Sequence, residues 1–153
     1  MLGQQIRAWE VLDDRVLGAL GDTPRESFVP DAYRDLAFAD MEIPLAHSQQ
    51  MLAPKVEGRL LQALCLESSD DVLEIGTGSG YQAAVLAELV DAVYTIEIVA
   101  PLGERARAML DYAPALARNR GRHVVMCDAT PRASHAARHP PSRQPTTDRD
   151  RDR

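Results

Sequence analysis

A chain of 153 residues, 45% apolar and 26% charged, has the size and composition of one soluble globular domain. No stretch is long and apolar enough to span a bilayer, the start has no basic run followed by an apolar core of the kind a secretory leader needs, and a net charge of −6 leaves no electrostatic footprint for nucleic acid. The two cysteines, Cys65 and Cys127, stand far apart without a CxxC, which argues against a disulfide scaffold or a zinc site and fits a reducing cytoplasm. Charge also divides the chain: residues 1–117 carry 19 acids and eight bases, residues 118–153 four acids and nine bases.

Residues 5–20 predict helix, with Ile6, Trp9, Val16, Leu17 and Leu20 on one apolar stripe and Asp13 or Asp14 as cap of a second helix within the stretch. Thr23-Pro24-Arg25-Glu26 joins a capping-box pattern to proline at the first helical position and predicts a short helical turn. Residues 29–54, with Pro30, Pro44 and Pro54 and little periodicity, read as an extended, looping segment. Pro54 then opens a helix whose Val56, Leu60, Leu61 and Leu64 form its expected buried face.

After a turn at residues 68–71, Val72-Leu73-Glu74-Ile75 reads as a buried strand. Gly76-Thr77-Gly78-Ser79-Gly80 follows at once, and residues 81–90 return to helix. Val93-Tyr94-Thr95-Ile96-Glu97-Ile98 is a second strand, residues 101–111 a further helix, and His123-Val124-Val125-Met126-Cys127 a third strand. Strand–helix alternation predicts an α/β fold with a parallel sheet of about three strands and helical crossovers.

After Asp128 the pattern stops. Residues 129–153 contain Pro131, Pro140, Pro141 and Pro145 and no apolar periodicity, so a disordered tail is expected. His135 and His139 have the spacing of a metal pair on a helix, but the neighbouring prolines oppose that helix and no metal site is expected. The tail arginines alternate with aspartates and lack aromatics, the pattern of a solvated segment rather than a nucleic-acid arm. The division is therefore 1–53, an amino-terminal helical and loop segment; 54–128, the ligand-binding half of an α/β domain; and 129–153, the tail.

The chemistry concentrates in the glycine loop. Its spacing is GxGxG, not the GxGxxG of dinucleotide folds, and no GK[ST] follows as a phosphate-binding Walker loop requires. Glu74, two residues before Gly76, would repel a pyrophosphate and attract a cation. Glu97 lies 21 residues after Gly76 at the end of the second strand, where an acid reaches ribose hydroxyls. The plainer alternative is a tight turn with no ligand.

The string Val72-Leu73-Glu74-Ile75-Gly76-Thr77-Gly78-Ser79-Gly80-Tyr81-Gln82-Ala83-Ala84 resembles the S-adenosylmethionine motif of the protein-L-isoaspartate O-methyltransferases. Val93-Tyr94-Thr95-Ile96-Glu97 resembles their second strand. Pro24-Arg25-Glu26-Ser27-Phe28-Val29-Pro30, Ala37-Phe38-Ala39-Asp40 and Pro44 resemble their amino-terminal segment, so that the likeness covers about residues 4–112. It implies a partial Rossmann-like methyltransferase fold with S-adenosylmethionine as cofactor. Gly76, Thr77, Gly78, Ser79 and Gly80 would line its methionine and ribose side, Glu97 would hold the ribose hydroxyls, and Asp128 would meet the adenine amino group. The implied substrates are proteins or peptides bearing isoaspartyl residues, with methylation of the free carboxylate as a repair step. That carboxylate is ionised at pH 7, so no general base is needed and no side chain is assigned a catalytic role.

Two departures temper the implied activity. In Pro44-Leu45-Ala46-His47-Ser48-Gln49-Gln50-Met51-Leu52-Ala53-Pro54, Ala46 and Ser48 replace usual glycines, Gln50 a threonine, and Leu52 the expected active-site serine. A leucine side chain donates no hydrogen bond, and His47 is the nearby polar candidate to replace the contact. The family's further strands have no counterpart after residue 128, where the sequence reads as a truncated or out-of-frame end. Weak or absent isoaspartyl methylation is expected, with self-association through the uncovered edge of residues 72–75 or partial unfolding of the chain. The alternatives are a non-catalytic cofactor-binding relic and, disfavoured by Glu74 and the loop spacing, a nicotinamide-dependent oxidoreductase.

Overall fold

The computed structural model describes residues 6–112 and 123–128. The readings for residues 129–153, including the tail's disorder and the His135–His139 pair, lie outside the described residues.

The amino-terminal stretch is a 3₁₀ turn, Arg7–Trp9, followed by helix α1, Asp14–Asp22, so the second helix expected within residues 5–20 forms while the first is only a short turn. Asp13 caps α1, its carboxylate accepting from the Arg15 and Val16 amides at 2.8 and 3.3 Å. Val16, Leu17 and Leu20 are buried, whereas Trp9 stands outside the stripe with Lys55 Nζ 4.2 Å from its ring centroid.

The expected capping box does not form. Thr23 ends α1, its amide donating to the Ala19 carbonyl, and its hydroxyl is buried without a partner. Pro24 occupies the cap position of α2, Arg25–Phe28, so Arg25 begins the turn and points inward. The looping segment contains a 3₁₀ helix, Asp31–Leu36, and a small antiparallel hairpin of β1, Ile43–Pro44, and β2, Gln50–Met51.

Helix α3, Pro54–Ala63, starts at its proline as predicted but turns a different face inward. Pro54, Glu57, Gly58 and Leu61 are buried; Val56, Leu60 and Leu64 are exposed. Two causes act together. A Cβ on Gly58 would meet Ile6 and Val11 side chains at 3.2 Å, so glycine lets the amino-terminal segment sit directly on the helix. One position earlier, Glu57 is held inside by Arg25.

The main sheet holds β3, Asp71–Ile75; β4, Ala92–Glu97; and β5, His123–Asp128, all parallel in the order β3-β4-β5. The crossovers are α4, Tyr81–Leu89, and α5, Ala100–Tyr112. This is the α/β architecture the alternation predicts. The register puts Leu73 opposite Tyr94 and Tyr94 opposite Val125, while Glu74, Thr95 and Met126 align on the other face. That second face meets the helices: Val93 and Thr95 are fully buried, and Met126 reaches Gly103 of α5. Among the described residues the first face carries no cover. Leu73 and Ile75 are 58% and 82% exposed, so β3 is not the fully buried strand its composition suggests. Parallel strands ordinarily carry cover on both faces.

Candidate functional site

The site is built where β3 runs into α4. Gly76, Gly78 and Gly80 all have positive φ, at 93°, 55° and 86°. Gly80 is doubly constrained, since a Cβ there would also meet Ala106 of α5 at 3.3 Å. The turn is pinned by the Gly76 amide donating to the Ile96 carbonyl at 2.8 Å and the Gly80 amide to the Thr77 carbonyl at 2.9 Å.

Behind the loop runs a chain of polar groups. The Thr95 hydroxyl donates to Glu74 at 2.5 Å. With its one proton spent there, Thr95 accepts from the Thr77 hydroxyl at 2.6 Å. Burial pushes the Glu74 carboxyl up to about 7; the Thr95 bond opposes the shift and the Glu97 charge adds to it. Glu97 closes the loop from the β4 side. One of its oxygens accepts from the Gly78 amide at 2.8 Å, the other from the Val99 amide at 2.8 Å.

The glycine loop borders a cavity of about 250 Å³. Glu74, Ile75, Gly76, Thr77, Gly78 and Ser79 line it from the loop side; Gln50, Met51 and Leu52 line it from the hairpin; Glu57 and Gln82 complete it. Gly80 lies behind, against α5, and Glu97 reaches the loop through the Gly78 amide rather than the cavity wall. Asp128 pairs with Glu97 in the β4–β5 register, which sets both at the carboxyl ends of adjacent strands. In open parallel sheets that is where ligands bind. His47 lies on the exposed hairpin turn and does not line the cavity.

Four participants were not singled out from the sequence. Arg25 is fully buried and donates to the Ala37 carbonyl at 2.8 Å, the Leu52 carbonyl at 2.5 Å and the Glu57 carboxylate. Its guanidinium stacks 4.8 Å from the Tyr81 ring centroid, and Phe28 meets the same ring edge-on at 5.7 Å. Burial pushes the Glu57 carboxyl up to about 8 against the pull of Arg25. Thr95 reads as an ordinary strand residue. Gln82, first seen only as part of a motif, has a buried side-chain oxygen without a hydrogen-bond partner. The one signal available was Glu57 itself, an acid between apolar positions in a helix otherwise read as amphipathic.

A family model for protein-L-isoaspartate(D-aspartate) O-methyltransferase matches residues 1–129. The chain is 47% identical over 110 residues to a protein-L-isoaspartate O-methyltransferase of Rhodopseudomonas palustris, covering 72% of this chain and 50% of that protein. It is 46% identical over 110 residues to one from Opitutus terrae, covering 72% and 47%. The chain thus spans about half the length of these curated relatives. Among solved structures, a Plasmodium falciparum putative protein-L-isoaspartate O-methyltransferase in complex with S-adenosyl-L-homocysteine superposes with a TM-score of 0.67 at 17% identity, covering 82% of this chain and 60% of that one. At that identity the likeness bears on the fold.

Proposed function

Because the chain belongs to the protein-L-isoaspartate O-methyltransferase family, we propose that its glycine loop binds S-adenosylmethionine and serves methylation of isoaspartyl carboxylates in damaged proteins. The observation that carries this reading is the acidic, glycine-lined cavity at the carboxyl end of β3. A Cβ on Gly76 would meet nothing within 4 Å, so open space lies beside the loop. Glu74 borders that space with no cation among its hydrogen-bond partners in the described residues, which suits a ligand bearing positive charge and opposes a pyrophosphate.

In this reading Glu74, Gly76, Thr77, Gly78 and Ser79 hold the methionine end, with Gly80 setting the helix start. Glu97, already fixed by two backbone amides, presents its carboxylate to the ribose hydroxyls, and Asp128 takes the adenine side. When bound, the cofactor supplies an electrophilic methyl group for the substrate oxygen. An isoaspartyl carboxylate is ionised at neutral pH, so the chain needs no general base. Its contribution would be to orient the acceptor and keep water out, a role supported by the hairpin residues Gln50, Met51 and Leu52 lining the cavity. The reducing cytoplasm suits the two free cysteines, Cys65 and Cys127.

A second reading, cofactor binding without transfer, is favoured by one observation: Leu52 lines the cavity and offers its carbonyl to Arg25, leaving no side-chain donor at that position. Titration calorimetry with S-adenosylmethionine, S-adenosylhomocysteine and NAD tests the cofactor. Tighter binding of the first two is expected; equal or tighter NAD binding would overturn the assignment. Methyl transfer to an isoaspartyl peptide then separates the enzyme from the binding relic.

A further inference from the structure

The buried Arg25–Glu57 pair joins parts of the chain that the proposed reaction must keep in register. Arg25 comes from the amino-terminal segment. Its guanidinium reaches Glu57 on α3, the face of Tyr81 at the start of α4, and the carbonyl of Leu52 in the hairpin wall of the cavity. Tyr81 directly follows Gly80, so one planar cation touches both the helix that carries the glycine loop and the segment that faces it. A guanidinium is suited to this because it donates in several fixed directions from one plane, whereas an ammonium is a point donor. Burying such a pair only for stability is a poor bargain, since well-packed apolar residues of similar volume do as well or better.

We propose that Arg25, held by Glu57, is a positioning residue for the methyl acceptor: it fixes the Leu52 backbone against the glycine loop. This rests on the reading of the cavity as a methyltransferase site. With leucine at position 52, the backbone is what the segment has to offer an acceptor, so its placement matters more than it would beside a serine. Glu57 accepts from one arm of the guanidinium and aims it, while Ala37 and Leu52 accept from two of its other donors.

The test separates positioning from stability by replacing the whole pair. In Arg25→Met/Glu57→Leu the core stays filled and no charge is left unpaired, so the thermal midpoint should stay close to that of the unaltered chain. Amide exchange at residues 50–53 should nevertheless speed up by about tenfold or more, while exchange within α4 is unchanged. Arg25→Lys, which keeps the charge but cannot serve Glu57, Ala37 and Leu52 together, should show the same local acceleration. S-adenosylhomocysteine should slow exchange at residues 50–53 in the unaltered chain and not in the double variant. Unchanged exchange at 50–53 in both variants, or acceleration spread evenly over α3 and α4, overturns the proposal. The first readout needs no cofactor. An unaltered chain that takes up no S-adenosylhomocysteine therefore overturns the cofactor reading, while local exchange still decides the role of Arg25.

Discussion

The Gly78 amide donates a 2.8 Å hydrogen bond to the Glu97 carboxylate, tying the glycine loop to the end of the neighbouring strand. Glu97 thus shapes the loop, and the proposed ribose contact would use the same carboxylate. Glu97→Ala should weaken S-adenosylmethionine binding by about 1–3 kcal/mol through lost hydrogen bonds. Titration calorimetry checks it, and unaltered affinity would reduce Glu97 to a strand-end acid with no ligand.

Glu74 should make both stability and affinity depend on pH. Its carboxyl is raised from 4.5 to about 7 in the folded chain. The folded state therefore holds a proton that the unfolded state releases, and the resulting stability is full below about 4.5 and lost as pH rises through 7. The expected loss is of the order of 2 kcal/mol, read as the difference between the unaltered chain and Glu74→Gln in urea titrations at pH 5 and pH 8. Affinity for a cationic ligand should move oppositely, rising from pH 6 to pH 8 as the carboxylate forms. A flat profile in both experiments would remove Glu74 from the cation site.

The hairpin turn carries avoidable strain. His47 and Ser48 both sit at φ 57°, and the Gln49 amide donates to the Ala46 carbonyl at 3.2 Å, the form of a two-residue turn that favours Asn-Gly. Ser48→Gly should stabilise the chain by about 1 kcal/mol by relieving a left-handed side chain. Chemical denaturation measures the gain; a loss would show that the Ser48 side chain makes a compensating contact.

Leu52→Ser restores a hydroxyl to the cavity wall without disturbing the carbonyl that Arg25 binds. Radiolabelled methyl transfer to an isoaspartyl peptide should rise by at least about tenfold, the worth of one hydrogen bond to a charged group. No rise would mean that the leucine is not what limits transfer.

The open sheet face should draw chains together. Leu73→Lys places a charge beside Tyr94 on that face and should reduce self-association in size-exclusion chromatography with light scattering. The cost in stability should stay within about 0.5 kcal/mol because the side chain is already exposed. A monodisperse unaltered chain would show that this face recruits nothing.

Much of the fold was legible because its signals are local. The β-branched run at residues 93–98, the proline opening α3, the Asp13 cap and the strand-to-helix glycine loop each depend on neighbours within one or two turns. What misled was the choice of inward face. Val56, Leu60 and Leu64 are apolar and well spaced for a buried stripe, yet they face out. Periodicity ranks side chains by hydrophobicity alone and cannot foresee that a buried arginine will draw Glu57 inward or that Gly58 will admit a neighbouring segment.

The sequence by itself determined the strand–helix alternation from Pro54 onward, the glycine loop of Gly76, Gly78 and Gly80 between a strand and a helix, and the acids Glu74 and Glu97 near the carboxyl ends of successive strands, since each follows from adjacent residues. Only the tertiary structure decided that Arg25 meets Glu57, 32 positions away, and that Thr95 bridges Thr77 to Glu74 across 21. It also decided which face of the sheet is left open. Such contacts form between segments brought together by packing. Their partners are chosen by burial and by the need to satisfy every buried polar group, and no local pattern records that choice.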